Sequence, residues 1–78
     1  ELEKVGISEW KKEIYPHYRR LFPASERKSY RHIVRTTEAG ITTIWKVVDQ
    51  DKMVGFLLTN SLENNPYLQL DYLAILPT

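Results

Sequence analysis

The longest apolar-rich run in the chain is YLQLDYLAILP, residues 67–77, and the predicted fold is built around it. Asp71 is its only charged residue. Alternation along a strand divides its side chains between two faces. These faces are Tyr67, Gln69, Asp71, Leu73 and Ile75 on one side, and Leu68, Leu70, Tyr72 and Ala74 on the other. The second face is wholly hydrophobic and the first becomes so after Asp71, which predicts an interior strand with a layer packed on each face.

This strand lies close to the end of the sequence, since only Thr78 follows Pro77. An interior strand needs neighbours on both edges, and little sequence remains to supply the second neighbour. The sequence therefore predicts an open hydrophobic edge, which favours association, including a homodimer through that edge. It also predicts that residues 1–78 are cut short and belong to a larger domain.

Composition is that of one ordinary globular domain, with 42% hydrophobic and 27% charged residues. The formal net charge of +1 neither favours nor excludes a polyanionic partner. The chain has no cysteine, and its two histidines lack a ligand spacing, so we expect no metal site. No apolar run is long enough to span a membrane, and the N-terminus is too charged for a signal peptide. We therefore expect a cytoplasmic protein without a membrane partner.

Two amphipathic helices are predicted between residues 8 and 39. Ser8 is a suitable N-cap for the first, and Pro16 should kink or split it near Tyr15, because proline lacks the backbone N–H. Its apolar face comprises Trp10, Ile14, Tyr18, Leu21 and Phe22.

The second helix is predicted from residue 26 to residue 39, with Ser25 as its cap and Gly40 at a left-handed C-cap position. Its buried face comprises Tyr30, Ile33, Val34 and Thr37.

Two β-rich segments, 41–48 and 53–60, predict a hairpin, and Gly55 inside the second indicates a bulge or a close approach by another group. A loop at 62–66 leads into the last strand. Residues 1–7 fit either a short strand or a disordered lead. The predicted fold class is α+β, with two N-terminal helices packed on a three-stranded antiparallel sheet.

Positive charge is concentrated in residues 11–35, which hold eight basic and two acidic residues, an excess of six. The basic residues are Lys11, Lys12, Arg19, Arg20, Arg27, Lys28, Arg31 and Arg35. One interpretation is a non-catalytic interaction module whose basic helices bind nucleic acid or an acidic partner. We favour the solvated outer faces of two amphipathic helices, because no recognition helix or base-stacking platform accompanies the charge. We therefore do not expect nucleic-acid binding.

Asp71 is the strongest candidate for chemistry, because a carboxylate inside an apolar strand is costly unless it is paired, solvated or used. A partner such as a helix arginine, or water at the sheet face, would explain it structurally. The functional interpretation is a general base that acts directly or through a water molecule.

Three short motifs, taken in order, resemble the N-terminal half of the GNAT superfamily of N-acetyltransferases. They are Phe22-Pro23 followed by Glu26-Arg27, the hairpin motif Val54-Gly55-Phe56, and the strand Leu70-Asp71-Tyr72-Leu73-Ala74-Ile75-Leu76-Pro77. In that family two helices precede an antiparallel strand set, and the fourth strand ends in a Leu-Ala-Val-x-Pro-like sequence. The resemblance covers residues 8–78, nearly the whole chain.

The resemblance implies transfer of acetyl from acetyl-CoA to a primary amine on a small molecule or a peptide. Backbone groups of Leu73, Ala74 and Ile75 would hold the pantetheine arm, and the Ile75 N–H would polarise the thioester carbonyl. Asp71 would be the general base. The glycine-containing loop that holds the CoA pyrophosphate in that family would follow Thr78, so we expect these 78 residues alone to be inactive.

Overall fold

Within residues 1–61 and 68–77, four antiparallel strands form one sheet in the order β1-β2-β3-β4. The strands are β1 (Leu2–Val5), β2 (Thr42–Asp49), β3 (Lys52–Ser61) and β4 (Leu68–Ile75). This computed structural model describes residues 1–61 and 68–77, so the predicted loop at 62–66 and the strand residue Tyr67 lie outside the described residues. With two helices and an antiparallel sheet, the predicted α+β class is confirmed.

The predicted number of strands is wrong, because residues 2–5 form a fourth strand at one edge of the sheet, which is the strand alternative left open for residues 1–7. β1 pairs with β2 from Leu2, opposite Val47, to Val5, opposite Ile44. Of its four residues only Val5 is buried. A segment with so little apolar patterning becomes a strand through pairing with β2, which the local sequence cannot show.

The first helix runs through residues 7–21 in three consecutive segments. These are α-helical Ile7–Glu9, π-helical Trp10–Ile14 and α-helical Tyr15–Leu21. The Tyr15 N–H bonds to the Trp10 carbonyl, five residues back. This wider turn comes directly before Pro16, so the predicted interruption near Tyr15 is a π turn and not a break. The helix begins before Ser8, with Gly6 at the cap position, so the predicted cap is wrong.

The second helix, Tyr30–Glu38, begins four residues later than predicted. Its cap is Ser29, whose hydroxyl accepts a hydrogen bond from the His32 N–H at 3.1 Å, so the prediction of Ser25 is wrong. Gly40 has a φ of 79°, as predicted for a left-handed C-cap.

Both helices cover one face of the sheet, and the core lies between them and the strands. The buried core residues are Val5, Trp10, Ile14, Tyr18, Ile33, Ile44, Phe56 and Leu58. Leu21, predicted on the buried face, is instead 37% exposed, because it lies at the end of its helix. An ion pair of 2.6 Å between Glu9 and Lys46 joins the first helix to β2.

A β-bulge at Asp71 decides which face each side chain of β4 takes. Leu58 lies opposite Tyr72 and Thr59 lies opposite Leu70, so Asp71 has no partner on β3. The extra residue makes the strand switch faces, and the predicted alternation is therefore wrong beyond Asp71. Tyr72 and Ala74 pack against the helix-covered core.

The opposite face of the sheet carries exposed aliphatic side chains that no described residue covers. They are Leu2, Leu68, Leu70, Leu73 and Ile75, which are 52–67% exposed. The prediction of a layer on each face of β4 is therefore met on one face only, within residues 1–61 and 68–77. Among the strands of residues 1–61 and 68–77, β4 is also the outermost, so its outer edge is open there, as predicted. Pairing of a second copy along this edge stays a prediction.

Gly55 allows β3 and β4 to approach each other closely. A Cβ atom at this position would lie 2.6 Å from the Ala74 carbonyl oxygen and 3.2 Å from the Ile75 side chain. The pairing of β2 with β3 is also irregular beside it, since Val47 lies opposite Gly55 while Val48 lies opposite Met53. Both predicted explanations of this glycine, a bulge and a close approach, are thus confirmed.

Candidate functional site

The outer edge of β4 presents backbone groups that pair with no described strand at two of the predicted site residues. The Leu76 N–H bonds to the Val54 carbonyl at 2.8 Å, which places Leu76 in a hydrogen-bonded pair with β3. Such pairs alternate along an antiparallel ladder with pairs that do not bond to each other. Leu73 and Ile75 therefore direct their N–H and C=O groups away from β3, toward the open edge.

Ala74, the third predicted contact, has the opposite orientation. It lies opposite Phe56 and directs its N–H and C=O groups toward β3. Its side chain packs against the core. Of the three predicted backbone contacts, Leu73 and Ile75 therefore offer backbone groups at the edge, whereas Ala74 pairs with β3.

Asp71 lies at the bulge and forms an ion pair with Lys28, whose Nζ is 2.6 Å from Oδ2. The side chain of Asp71 is 22% exposed and that of Lys28 is 37% exposed. The carboxylate therefore has a cationic partner, but this partner is a lysine from the segment between the helices and not the helix arginine suggested by the sequence. A partly exposed pair of this kind contributes on the order of 1 kcal/mol or less to stability.

Two further hydrogen bonds fix the segment between the helices against the bulge. The Tyr18 hydroxyl accepts the Lys28 backbone N–H at 2.8 Å, and the Tyr72 hydroxyl donates to the Glu26 carbonyl at 2.5 Å. The rings of Tyr18 and Tyr72 meet edge to face with centroids 4.9 Å apart. Lys28 is thus held at both its backbone and its side chain, so its amine is directed at Asp71.

The Tyr18 phenol is an uncharged member of this group. Burial is the largest cause that raises the pKa of Tyr18 above its ordinary value, and a hydrogen bond with Tyr72 raises it further. A neutral phenol suits its role, because an ionised oxygen would be buried close to the Asp71 carboxylate.

Sequence reasoning identified Asp71 but missed Lys28 and Tyr18 as members of the site. Lys28 lies 43 residues before Asp71 in the chain, and its charge resembles that of the seven other basic residues in 11–35. The only signal in the sequence is the need of Asp71 for a cation, which does not choose among them. Tyr72 also belongs to this group, because its hydroxyl binds the segment between the helices through the Glu26 carbonyl.

Asp71 and Ile75 lie four positions apart on β4. At roughly 3.3 Å per residue this corresponds to about 13 Å along an extended strand. A proton taken up by Asp71 from a group beside the Ile75 N–H would therefore travel through water.

Within the part of the chain that the structure describes, histidines and carboxylates form no cluster suited to a metal ion. None of the helices found in residues 1–61 and 68–77 combines the length and the apolar character that crossing a membrane requires. Comparisons with protein-family models, curated proteins and solved structures give no match for this chain.

The raised pKa of Tyr18 predicts a loss of stability in alkali. A phenol in an unfolded chain ionises near pH 10, whereas Tyr18 in the folded protein ionises at higher pH. The full contribution of Tyr18 to the free energy of unfolding is therefore present below about pH 10. We expect the free energy of unfolding to fall as the pH rises above that value, and to fall less steeply in Tyr18→Phe. Urea denaturation at a series of alkaline pH values measures both slopes.

The half-buried Tyr30 supplies the matched control for this experiment. Tyr30→Phe removes a phenol but leaves Tyr18 in place, so it should keep the steep loss of the wild type. Equal slopes in the wild type and in Tyr18→Phe would contradict the assignment.

Proposed function

We propose that this protein is an N-acetyltransferase of the GNAT type, which transfers acetyl from acetyl-CoA to a primary amine. The observation that carries the proposal is the open edge of β4, where Leu73 and Ile75 direct backbone groups outward beyond the bulge at Asp71. The resemblance of residues 70–77 to the fourth strand of that family supports the same assignment.

The edge suits the pantetheine arm of acetyl-CoA because that arm is an extended chain with two amide groups. An extended amide chain can add to a sheet edge as a further strand does, through main-chain hydrogen bonds. Leu73 and Ile75 would supply the donors and acceptors for this pairing. Ala74 would take no part through its backbone, because its N–H and C=O groups are directed toward Phe56.

In the proposed reaction, the amine nitrogen attacks the thioester carbonyl carbon and forms the new C–N bond. Negative charge develops on the carbonyl oxygen, and the Ile75 N–H stabilises it. The C–S bond then breaks and the sulfur leaves as the thiolate. The amine loses one proton, which passes through water to the Asp71 carboxylate and from there to solvent.

Lys28 acts as a positioning residue in this proposal. Its amine holds the Asp71 carboxylate through Oδ2, so the other carboxylate oxygen is available to accept a proton from water. The bonds from Tyr18 and Tyr72 to the segment between the helices keep Lys28 in place. The acceptor amine would then approach from the side of β4 where Asp71 meets that segment.

A substitution at Ile75 tests the proposed edge contact directly. Ile75→Pro removes one outward N–H and no bond to β3, because proline is tolerated where an edge strand faces solvent. We expect S-acetylpantetheine to shift the amide NMR signals of Leu73 and Ile75 in the wild type. In Ile75→Pro the shift at Leu73 should be lost.

Ile75→Val is the matched control, because it shortens the side chain and keeps the N–H. It should bind S-acetylpantetheine as the wild type does. Amide shifts confined to residues away from β4, or equal binding by Ile75→Pro, would contradict the proposed edge contact.

The role of Asp71 is tested by Asp71→Asn, which keeps the shape of the side chain but cannot accept the proton. We expect kcat/KM for amine-dependent thiol release to fall by about 10²–10⁴-fold. The increase of kcat/KM with pH that a general base produces should also be lost. The assay uses the intact enzyme, since residues 1–78 alone are expected to be inactive, together with acetyl-CoA and a panel of primary amines. A variant with the wild-type pH–rate profile would remove Asp71 from the mechanism.

A further inference from the structure

An open cavity of about 350 Å³ lies between the first helix and the segment that precedes the second. Its lining residues are Tyr15, Arg19, Ala24, Arg27, Lys28 and Ser29. Three of these six carry a positive charge, and none of the six is acidic. The cavity therefore gathers much of the local positive excess of residues 11–35 into one place.

The two arginines are held in position by contacts that bring no negative charge. The Arg27 guanidinium donates to the Arg19 carbonyl at 3.3 Å. The Arg19 guanidinium lies 5.9 Å from the centroid of the Tyr15 ring. Among the described residues, no carboxylate forms an ion pair with either guanidinium. Two cations close together without a counter-charge create a site of strong positive potential.

Lys28 adds a third charge and connects the cavity to Asp71. The formal charges of Arg19, Arg27 and Lys28 sum to +3, and Asp71, paired with Lys28, reduces the total to +2. A phosphate monoester carries close to two negative charges at neutral pH and several acceptor oxygens. Arginine binds such groups with two parallel hydrogen bonds.

We propose that this cavity is a binding site for the dianion of a phosphate monoester. Arg19 and Arg27 bind its oxygens. Lys28 adds positive charge to the cavity while its amine remains in the ion pair with Asp71. The site does not depend on the acetyltransferase function. If the protein has both activities, the acceptor amine carries the phosphate, because Lys28 places the cavity next to Asp71.

Inorganic phosphate is the probe for the first experiment. Amide NMR at constant ionic strength and mildly alkaline pH should show saturable shifts in residues 24–29. Arg19→Gln and Arg27→Gln should each weaken binding by about tenfold or more, because each removes a charged hydrogen-bond donor.

Arg20→Gln is the matched control. It removes the same charge from the same helix, but Arg20 contacts His17 at 2.6 Å and does not line the cavity. Its affinity for phosphate should equal that of the wild type. Non-saturable shifts, or an equal loss in Arg20→Gln, would show general attraction to a basic surface and overturn the proposal.

Asp71→Asn gives a second readout in the opposite direction. Loss of the carboxylate frees Lys28 and removes a repelling charge, so phosphate should bind roughly fivefold more tightly. Arg27→Lys, which keeps the charge without the fork, should bind more weakly than the wild type. If Arg27→Gln fails to fold, these two variants still test whether the cavity binds phosphate. Unchanged or weaker phosphate binding in Asp71→Asn would overturn the proposal.

Competition with a single-stranded oligonucleotide distinguishes the ligand class. At equal phosphate concentration, a monoester such as O-phosphoethanolamine should displace inorganic phosphate, while the oligonucleotide, built of monoanionic phosphodiesters, should not. If only the oligonucleotide displaced inorganic phosphate, the cavity would be a nucleic-acid surface, and the monoester site would be contradicted.

Discussion

The bulge at Asp71 sets the arrangement of β4, and the ion pair of Asp71 with Lys28 joins this strand to the segment between the helices. The bulge switches the faces of β4, so that Tyr72 and Ala74 close the core while Leu73 and Ile75 turn outward. A bulge would normally leave its extra residue exposed at the edge of a sheet. Here its side chain binds the segment between the helices, so the irregular part of the strand joins the helical layer to the sheet.

The same strand combines three properties. One side seals the core through Tyr72 and Ala74, and the other side leaves aliphatic side chains exposed. Its outer edge presents backbone groups at Leu73 and Ile75. Gly55 on the neighbouring strand makes this possible, because a side chain there would push the Ala74 carbonyl away. The proposed chemistry lies along this edge, and the proposed phosphate site lies at the other end of the Lys28–Asp71 pair.

Sequence reasoning predicted the parts of the fold that depend on local patterns. The helical positions of Trp10, Ile14 and Tyr18, the cap at Gly40 and the hairpin around residues 49–52 follow from periodicity and turn chemistry. The position of β4 at the edge of the described sheet was predicted as well. These features need no knowledge of distant contacts.

The features that were missed depend on contacts between distant residues. β1 forms because β2 offers it a partner, and the second helix starts at Tyr30 because Tyr18, Tyr72 and Ser29 hold the preceding residues outside it. Alternation in β4 is broken at Asp71, where a carboxylate unsuited to the core pairs with a lysine 43 residues away. Of the candidate site, Asp71 and the open edge of β4 were predicted from the sequence. The contact of Asp71 with Lys28 was found only in the structure.

Amide hydrogen exchange along β4 is the most direct test of this account. The bulge and the Leu76–Val54 bond predict slow exchange at Tyr72, Ala74 and Leu76, and fast exchange at Leu73 and Ile75. That alternation would place the backbone groups of both residues at the open edge. Uniform protection across 72–76, or slow exchange at Leu73 and Ile75 with fast exchange at Ala74, would contradict the register and with it the proposed site.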